Sequence, residues 1–223
     1  MTNQNLMSDG RNALPAGTVI IGKGGARYTI REGEIGGGGS ALGYRASRNN
    51  SRRLFVVKEC YPRSDDYKFI RRGAVVCADS ADNSDAVKYL SLLKRDMIRE
   101  NEIGQAVAAK TGRVIAPWED LNAEEIILNG ENYDAGESFF MAMEQTSDNG
   151  WSLHGLLAEC AKPADKSFPL RTGGLPAPYV VVCIMEELLK ALRDVHLAGY
   201  VHADIQDSNF FLMGNNPRTG DIG

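Results

Sequence analysis

The sequence has no paired cysteines. Its four cysteines, at positions 60, 77, 160 and 183 of 223 residues, include no Cys-x-x-Cys pair. That scatter argues against a disulfide frame and against a zinc site, and it fits buried or free thiols in a reducing compartment. No apolar run approaches ~18 residues, so no membrane-spanning helix is predicted. The first ten residues are polar and lack the apolar core of a secretion signal. The expectation is therefore a cytoplasmic protein. Basic residues interleaved with aromatics are also missing, which removes the usual signature of a nucleic-acid surface.

What is present is ordinary in bulk and uneven in distribution. Hydrophobic residues make up 43% and charged residues 24%, as in globular proteins. The length allows one large domain or two small lobes. The net charge of −4 hides an asymmetry: residues 1–72 hold 13 Lys/Arg against 6 Asp/Glu, and residues 73–223 hold 12 against 23. A basic first third would attract a polyphosphate. Arg48, Arg52 and Arg53 themselves read as solvated turn residues. Residues 1–13 read as a disordered tail.

Two stretches carry chemistry near the C-terminal end. Residues 180–197 are amphipathic, with Pro178 suited to the first turn and Gly199 to the C-terminal cap. Val181, Ile184, Met185, Leu188, Leu189, Leu192 and Val195 form the predicted buried face. The polar run His202-Ala203-Asp204-Ile205-Gln206-Asp207-Ser208-Asn209 follows, then the apolar Phe210-Phe211-Leu212-Met213. A carboxylate (Asp204) and a carboxamide (Asn209) five residues apart suit phosphoryl transfer. The first can accept a hydroxyl proton and the second can ligate Mg²⁺.

Earlier in the chain, Ile35-Gly36-Gly37-Gly38-Gly39-Ser40 stands between two strand-like runs. Glycine lets backbone N–H groups approach a ligand closely, although an isolated run of this kind can equally be a slack hairpin tip. Leu54-Phe55-Val56-Val57-Lys58-Glu59 is a β-rich run ending in charge. A lysine there needs a partner or must reach out to water. Residues 60–84 read as an insertion containing a short hairpin (67–70 and 74–76). Asn83-Ser84-Asp85 then caps a helix over residues 86–109. Residues 113–118, 125–128 and 139–144 read as strands, Ser147-Asp148-Asn149-Gly150 as a turn, 151–160 as a short helix and 162–178 as loop.

Taken in order, these motifs resemble the protein kinase-like superfamily, and bacterial Ser/Thr protein kinases in particular. The glycine run resembles Gly-x-Gly-x-x-Gly-x-Val, with Ala41 in place of the third glycine and Gly43 in place of the valine. Val56-Val57-Lys58 resembles Val-Ala-Ile-Lys, and His202 to Asn209 resembles His-Arg-Asp-x-x-x-x-Asn. The resemblance implies an α+β, bilobal fold: a small antiparallel β lobe with one long helix over residues 14–145, then the beginning of a helical lobe over 146–223. It implies ATP and Mg²⁺, an unknown protein substrate, and no nucleic acid. Ile35 to Ser40, Val56 and Lys58 would line the nucleotide site. Met143 would be the gatekeeper, and the backbone of Glu144 to Thr146 would meet adenine. Met97-Ile98-Arg99-Glu100 resembles Phe-x-x-Glu and makes Glu100 the partner of Lys58, with Glu102 the other candidate. Asp204 would be the catalytic carboxylate and Asn209 the metal ligand. Ala203 stands where the family has arginine, and Gln206 where it has lysine. The family's Asp-Phe-Gly is expected beyond Gly223, with Asp221 in a turn. Two other readings stay open: a pseudokinase serving as a nucleotide-binding or scaffold module, and a kinase-fold enzyme acting on a small molecule.

Overall fold

In a computed structural model the described residues are 10–111, 119–136, 138–145, 151–162, 171–172 and 175–212. They fall into two units, Met1–Gln105 with Ala116–Gln145, and Ala106–Ile115 with Thr146–Gly223. The strand expected at 113–118, the turn at 147–150 and Asp221 lie outside the described residues.

The first unit runs β1 (Val19–Gly22), β2 (Arg27–Gly37), β3 (Ala41–Arg48), β4 (Leu54–Cys60), β5 (Phe69–Arg72), β6 (Val75–Ala78), α1 (Ser84–Ala108), β7 (Glu119–Asp120), β8 (Ala123–Leu128), β9 (Glu131–Asp134) and β10 (Phe140–Glu144). Eight strands form one sheet in the order β7-β10-β4-β3-β2-β1-β8-β9, antiparallel at every junction. Alternation along these strands sends Tyr28, Ile30, Tyr44, Ala46, Phe55 and Val57 into a single core. α1 lays Ala86, Leu90 and Met97 against that core, at spacings that keep one helical face inward. Its start is capped as expected, with Asn83 Oδ1 accepting the Ala86 N–H at 3.1 Å.

The insertion hairpin is β5–β6, which sits two residues later in its first strand than expected and joins through Gly73-Ala74. Tyr67 and Phe69 bring it onto α1, with ring centroids 5.3 and 6.0 Å from Tyr89. Gly73 takes φ +58°, and a Cβ there would stand 2.3 Å from Tyr133 Cε1. Gly73→Ala should therefore lower stability by about 1–3 kcal/mol through overpacking and backbone strain. A urea melt within about 0.5 kcal/mol of the parent protein would refute this.

The same alternation buries a charge. Glu59 follows Phe55 and Val57 onto the inner face and is fully buried. Arg71 of the hairpin donates to both its carboxylate oxygens, at 2.8 and 2.6 Å, and Tyr44 Oη donates to Oε2 at 2.6 Å. Arg71 also donates to the Ala74 carbonyl at 2.9 Å and to the Asn12 carbonyl at 2.7 Å, and lies over the Tyr61 ring. Burial, then the negative charge of Glu59, pushes the Tyr44 phenol far above its usual pKa. Burial opposes the charge on Arg71, but the hydrogen bonds and charge of Glu59 outweigh it and hold the guanidinium above its ordinary value. Cys60, next along β4, is a buried thiol pushed up to about 11, chiefly by desolvation. None of the four cysteines is joined in a disulfide.

The second unit runs β11 (Trp151–Ser152), α2 (Leu153–Ala161), β12 (Arg171–Thr172), β13 (Leu175–Pro176), α3 (Pro178–Leu197) and β14 (Phe211–Leu212). Leu156 and Cys160 of α2 pack with Ala177, Val180 and Ile184. Pro178 opens α3 and Gly199, at φ +91°, follows its end, as expected. The inward face of α3 differs from expectation. Val180, Ile184 and, in part, Leu188 turn inward, whereas Val181, Met185 and Leu189 are exposed. The helix carries two adjacent apolar stripes, and α2 selects one of them. Among the described residues no helix is long and apolar enough to cross a membrane.

Candidate functional site

Three of the nucleotide-binding candidates, Lys58, Val56 and Met143, lie on one sheet face of the first unit. Residues directly paired across strands share a face. Lys58 pairs with Gly43 on β3 and with Met141 on β10, and Val56 pairs with Arg45 and Met143. This is the face opposite Glu59. Lys58 and Val56 are half-buried there, unlike the fully buried Val57 and Glu59. The glycine run is the end of the β2–β3 hairpin, with Gly36 and Gly37 in β2 and Gly38, Gly39 and Ser40 in the turn. Gly38 N–H closes that turn on the Ala41 carbonyl at 3.1 Å. Ile35 and Gly36 are half-buried and Gly37 to Gly39 exposed.

The glycines differ in what requires them. A Cβ at Gly43 would meet the Gly36 carbonyl oxygen at 3.2 Å, so close strand approach accounts for a glycine where the family motif has valine. Gly36, Gly38 and Gly39 have nothing within 4 Å of where a Cβ would stand, and none has a positive φ. The fold does not need glycine at those three positions. Without side chains they leave the hairpin open to close approach, which suits phosphate.

At the end of β10, Met143 and Glu144 are half-buried, and the Glu144 carboxylate accepts from Arg53 Nη1 at 2.5 Å. Thr146 lies outside the described residues. Glu100 is exposed on α1, and among the described residues it forms no ion pair with Lys58; Glu102 is exposed as well. The residue between them on the inner face is Asn101, 6% exposed, whose Oδ1 has no hydrogen-bond partner among the described residues. Sequence reasoning passed over Asn101 because a match to Phe-x-x-Glu selects for carboxylates. The helical repeat from Leu90 and Met97 was the signal that would have found it.

The catalytic-loop candidates lie in the second unit. β14 pairs with β11, and Leu153 N–H donates to the Phe210 carbonyl at 2.8 Å, so the far end of the loop is anchored at the start of α2. Within it, Asn209 Nδ2 donates to Asp204 Oδ2 at 2.7 Å and to the Asp204 carbonyl at 3.0 Å. Gln206 Nε2 donates to the same Oδ2 at 3.1 Å. Both donors take one carboxylate oxygen, leaving Oδ1 of the exposed Asp204 to a ligand. The His202 and Phe210 rings stack 5.9 Å apart, and Asp207 Oδ2 lies 2.9 Å from His154 Nδ1. The neighbour of Asp204, Ala203, holds φ +58°, a left-handed conformation that costs a non-glycine residue about 1–2 kcal/mol. Ala203→Gly should relieve that strain and raise the unfolding free energy by up to about 1 kcal/mol. A lower melting temperature would refute it.

Asn209 offers a hard oxygen donor, its amide oxygen, which fits Mg²⁺, an ion that binds few protein ligands and keeps water and phosphate oxygens. Among the described residues no group of three or more His, Cys, Asp or Glu side chains is placed to hold a metal ion.

An antiparallel sheet with a glycine hairpin, a strand lysine and one long helix precedes a second unit carrying an anchored Asp/Asn loop. The chain is similar in fold to solved structures. The PpkA-294 apo form matches with a TM-score of 0.51 and 20% identity over 83% of this chain and 54% of its own. The fold is protein kinase-like. The kinase domain of Mycobacterium tuberculosis PknI is also similar, with a TM-score of 0.49 and 16% identity over 90% of this chain and 58% of its own. A cysteine-to-alanine mutant of that domain stands at 0.49 and 18%, over 91% and 59%. This kinase-like chain thus spans somewhat more than half the length of the structures it matches. No family model and no curated protein matches it.

Proposed function

We propose that the chain is the nucleotide-binding part of an ATP-dependent protein kinase that phosphorylates a Ser/Thr hydroxyl of a protein. The observation that carries this reading is the 2.7 Å contact between Asn209 and Asp204, which holds a carboxamide against a carboxylate with one carboxylate oxygen left over. Asp204 Oδ1 would accept the proton of the acceptor hydroxyl. Lys58 would hold the α- and β-phosphates of ATP, and the glycine hairpin from Gly36 to Ser40 would cover them. Met143 would bound the adenine pocket, with the backbone of Glu144 to Thr146 bonding the base. Asn209 would hold Mg²⁺, which when bound neutralises the charge developing on the transferred phosphoryl group. Positioning and fixed charge supply the rate.

A specific observation favours the second reading, a pseudokinase: the inner face of α1 carries Asn101, and Glu100 is exposed. One pair of measurements separates the readings. A thermal-shift titration with Mg·ATP on the parent and on Lys58→Met tests binding, and phosphate transfer from labelled ATP to a Ser/Thr peptide tests chemistry. A stabilising shift lost in Lys58→Met, together with transfer, supports the kinase. A shift without transfer supports the pseudokinase. No shift overturns the kinase and the nucleotide-binding pseudokinase, and leaves only a scaffold.

A further inference from the structure

The glycine hairpin is gripped from behind. Arg11, ahead of β1, donates through Nη1 to the Tyr61 carbonyl at 2.6 Å and to the Ala41 carbonyl at 3.3 Å. Its Nη2 stands 2.7 Å from where a Gly37 Cβ would be. Two residues past Tyr61, the Arg63 N–H donates to the Gly39 carbonyl at 2.7 Å. One short segment thus links the hairpin to the beginning of the insertion. The segment, expected to end a disordered tail, is instead tied down: the Asn12 carbonyl accepts from Arg71 Nε at 2.7 Å, and Leu14 N–H donates to Tyr44 Oη at 3.2 Å.

Strand register fixes the side from which this grip comes. Gly37 pairs with Leu42, Leu42 with Glu59, and Gly43 with Lys58. The absent Cβ of Gly37 points toward Leu42 Cδ2, at 3.0 Å, as well as toward Arg11. Arg11 therefore lies on the Glu59 face, and Lys58 on the other. The arginine cannot touch a ligand held on the lysine face, but it controls the hairpin covering that face. A planar guanidinium suits the task, since one nitrogen bridges two carbonyls while the other rests against a glycine backbone; an ammonium cannot do both.

We propose that residues 10–14 form a strap in which Arg11 is a positioning residue, fixing the glycine hairpin against the insertion before nucleotide arrives. This deepens the nucleotide reading above and rests on it. Four consecutive glycines sample many backbone states, and all but a few must be given up when a phosphate is bound. A strap that removes them in advance lowers that cost and raises affinity.

The test compares the parent chain with Arg11→Ala, Arg11→Lys and Gly37→Ala, by amide hydrogen exchange without ligand and by Mg·ATP titration. The Gly38 and Arg63 amides should exchange at least about tenfold faster in Arg11→Ala, because their partners lie in the strapped region, while the Val57 amide in β4 is unchanged. The Mg·ATP dissociation constant should rise about three- to tenfold, with Arg11→Lys in between. Gly37→Ala, which pushes on Arg11, should reproduce the effect alone and add little to Arg11→Ala. Unchanged Gly38 and Arg63 exchange in Arg11→Ala overturns the strap, as does faster exchange with unaltered affinity. If the parent chain binds no Mg·ATP, the nucleotide reading fails first and the strap's role falls with it. That failure appears in the parent alone, so the two are distinguishable.

Discussion

Arg71→Met is expected to destabilise the first unit by about 3–5 kcal/mol. The side chains of Arg71 and Glu59 are 2% and 1% exposed, so removing the cation leaves a carboxylate with no access to water. Tyr44 alone cannot compensate a full buried charge with one hydroxyl. The second member of the test is the double variant Glu59→Leu with Arg71→Met. Apolar replacement of both partners of a buried pair is often neutral, so the double variant should recover most of the loss. Recovery will stop short of complete, because the Asn12 and Ala74 carbonyls also accept from Arg71. Urea unfolding of the parent, the two single variants and the double gives the coupling energy directly. A loss below about 1 kcal/mol in Arg71→Met would mean that the pair is solvated in a way its burial does not indicate.

On the kinase reading, Asp204→Asn should cut phosphate transfer by about 10²–10⁴ and leave Mg·ATP affinity within about twofold. The substitution is nearly isosteric. An amide oxygen can still accept from Asn209 Nδ2 and Gln206 Nε2, which now donate to Asp204 Oδ2 at 2.7 and 3.1 Å. The loop therefore keeps its shape while the basic oxygen is lost. Transfer at an undiminished rate would show that Asp204 does not take the proton, and the kinase reading would lose its catalytic group. Equal loss of transfer and nucleotide binding would instead point to collapse of the loop, which far-UV and near-UV circular dichroism would reveal.

These two predictions mark what local sequence could and could not disclose. The contact between Asp204 and Asn209 was legible because five residues of backbone and a single 3₁₀ turn bring the two side chains together. The glycine hairpin, the lysine strand and the cap at Asn83 were legible for the same reason: each is set by neighbours a few residues away.

The network around Glu59 was only half legible. Its alternation with Phe55 and Val57 is a signal for an inward carboxylate that sequence reasoning did not draw, and such a group demands a cation. That cation is Arg71, twelve residues on in an insertion, with Tyr44 and the Asn12 carbonyl from two further segments. Nothing in local pattern chooses among thirteen basic residues in the first 72. The facing of the helices was likewise decided by packing. A 3.6-residue repeat fixes which residues share a stripe, but the neighbouring element decides which stripe is covered. On α1 that choice buried Asn101 and left Glu100 outside; on α3 it buried Val180 in place of Val181. The sequence by itself determined the order of motifs and the chemistry each can perform, because those depend on residue type and short-range spacing. Only the tertiary structure decided which charges meet and which face each helix buries, because those depend on contacts between segments distant along the chain.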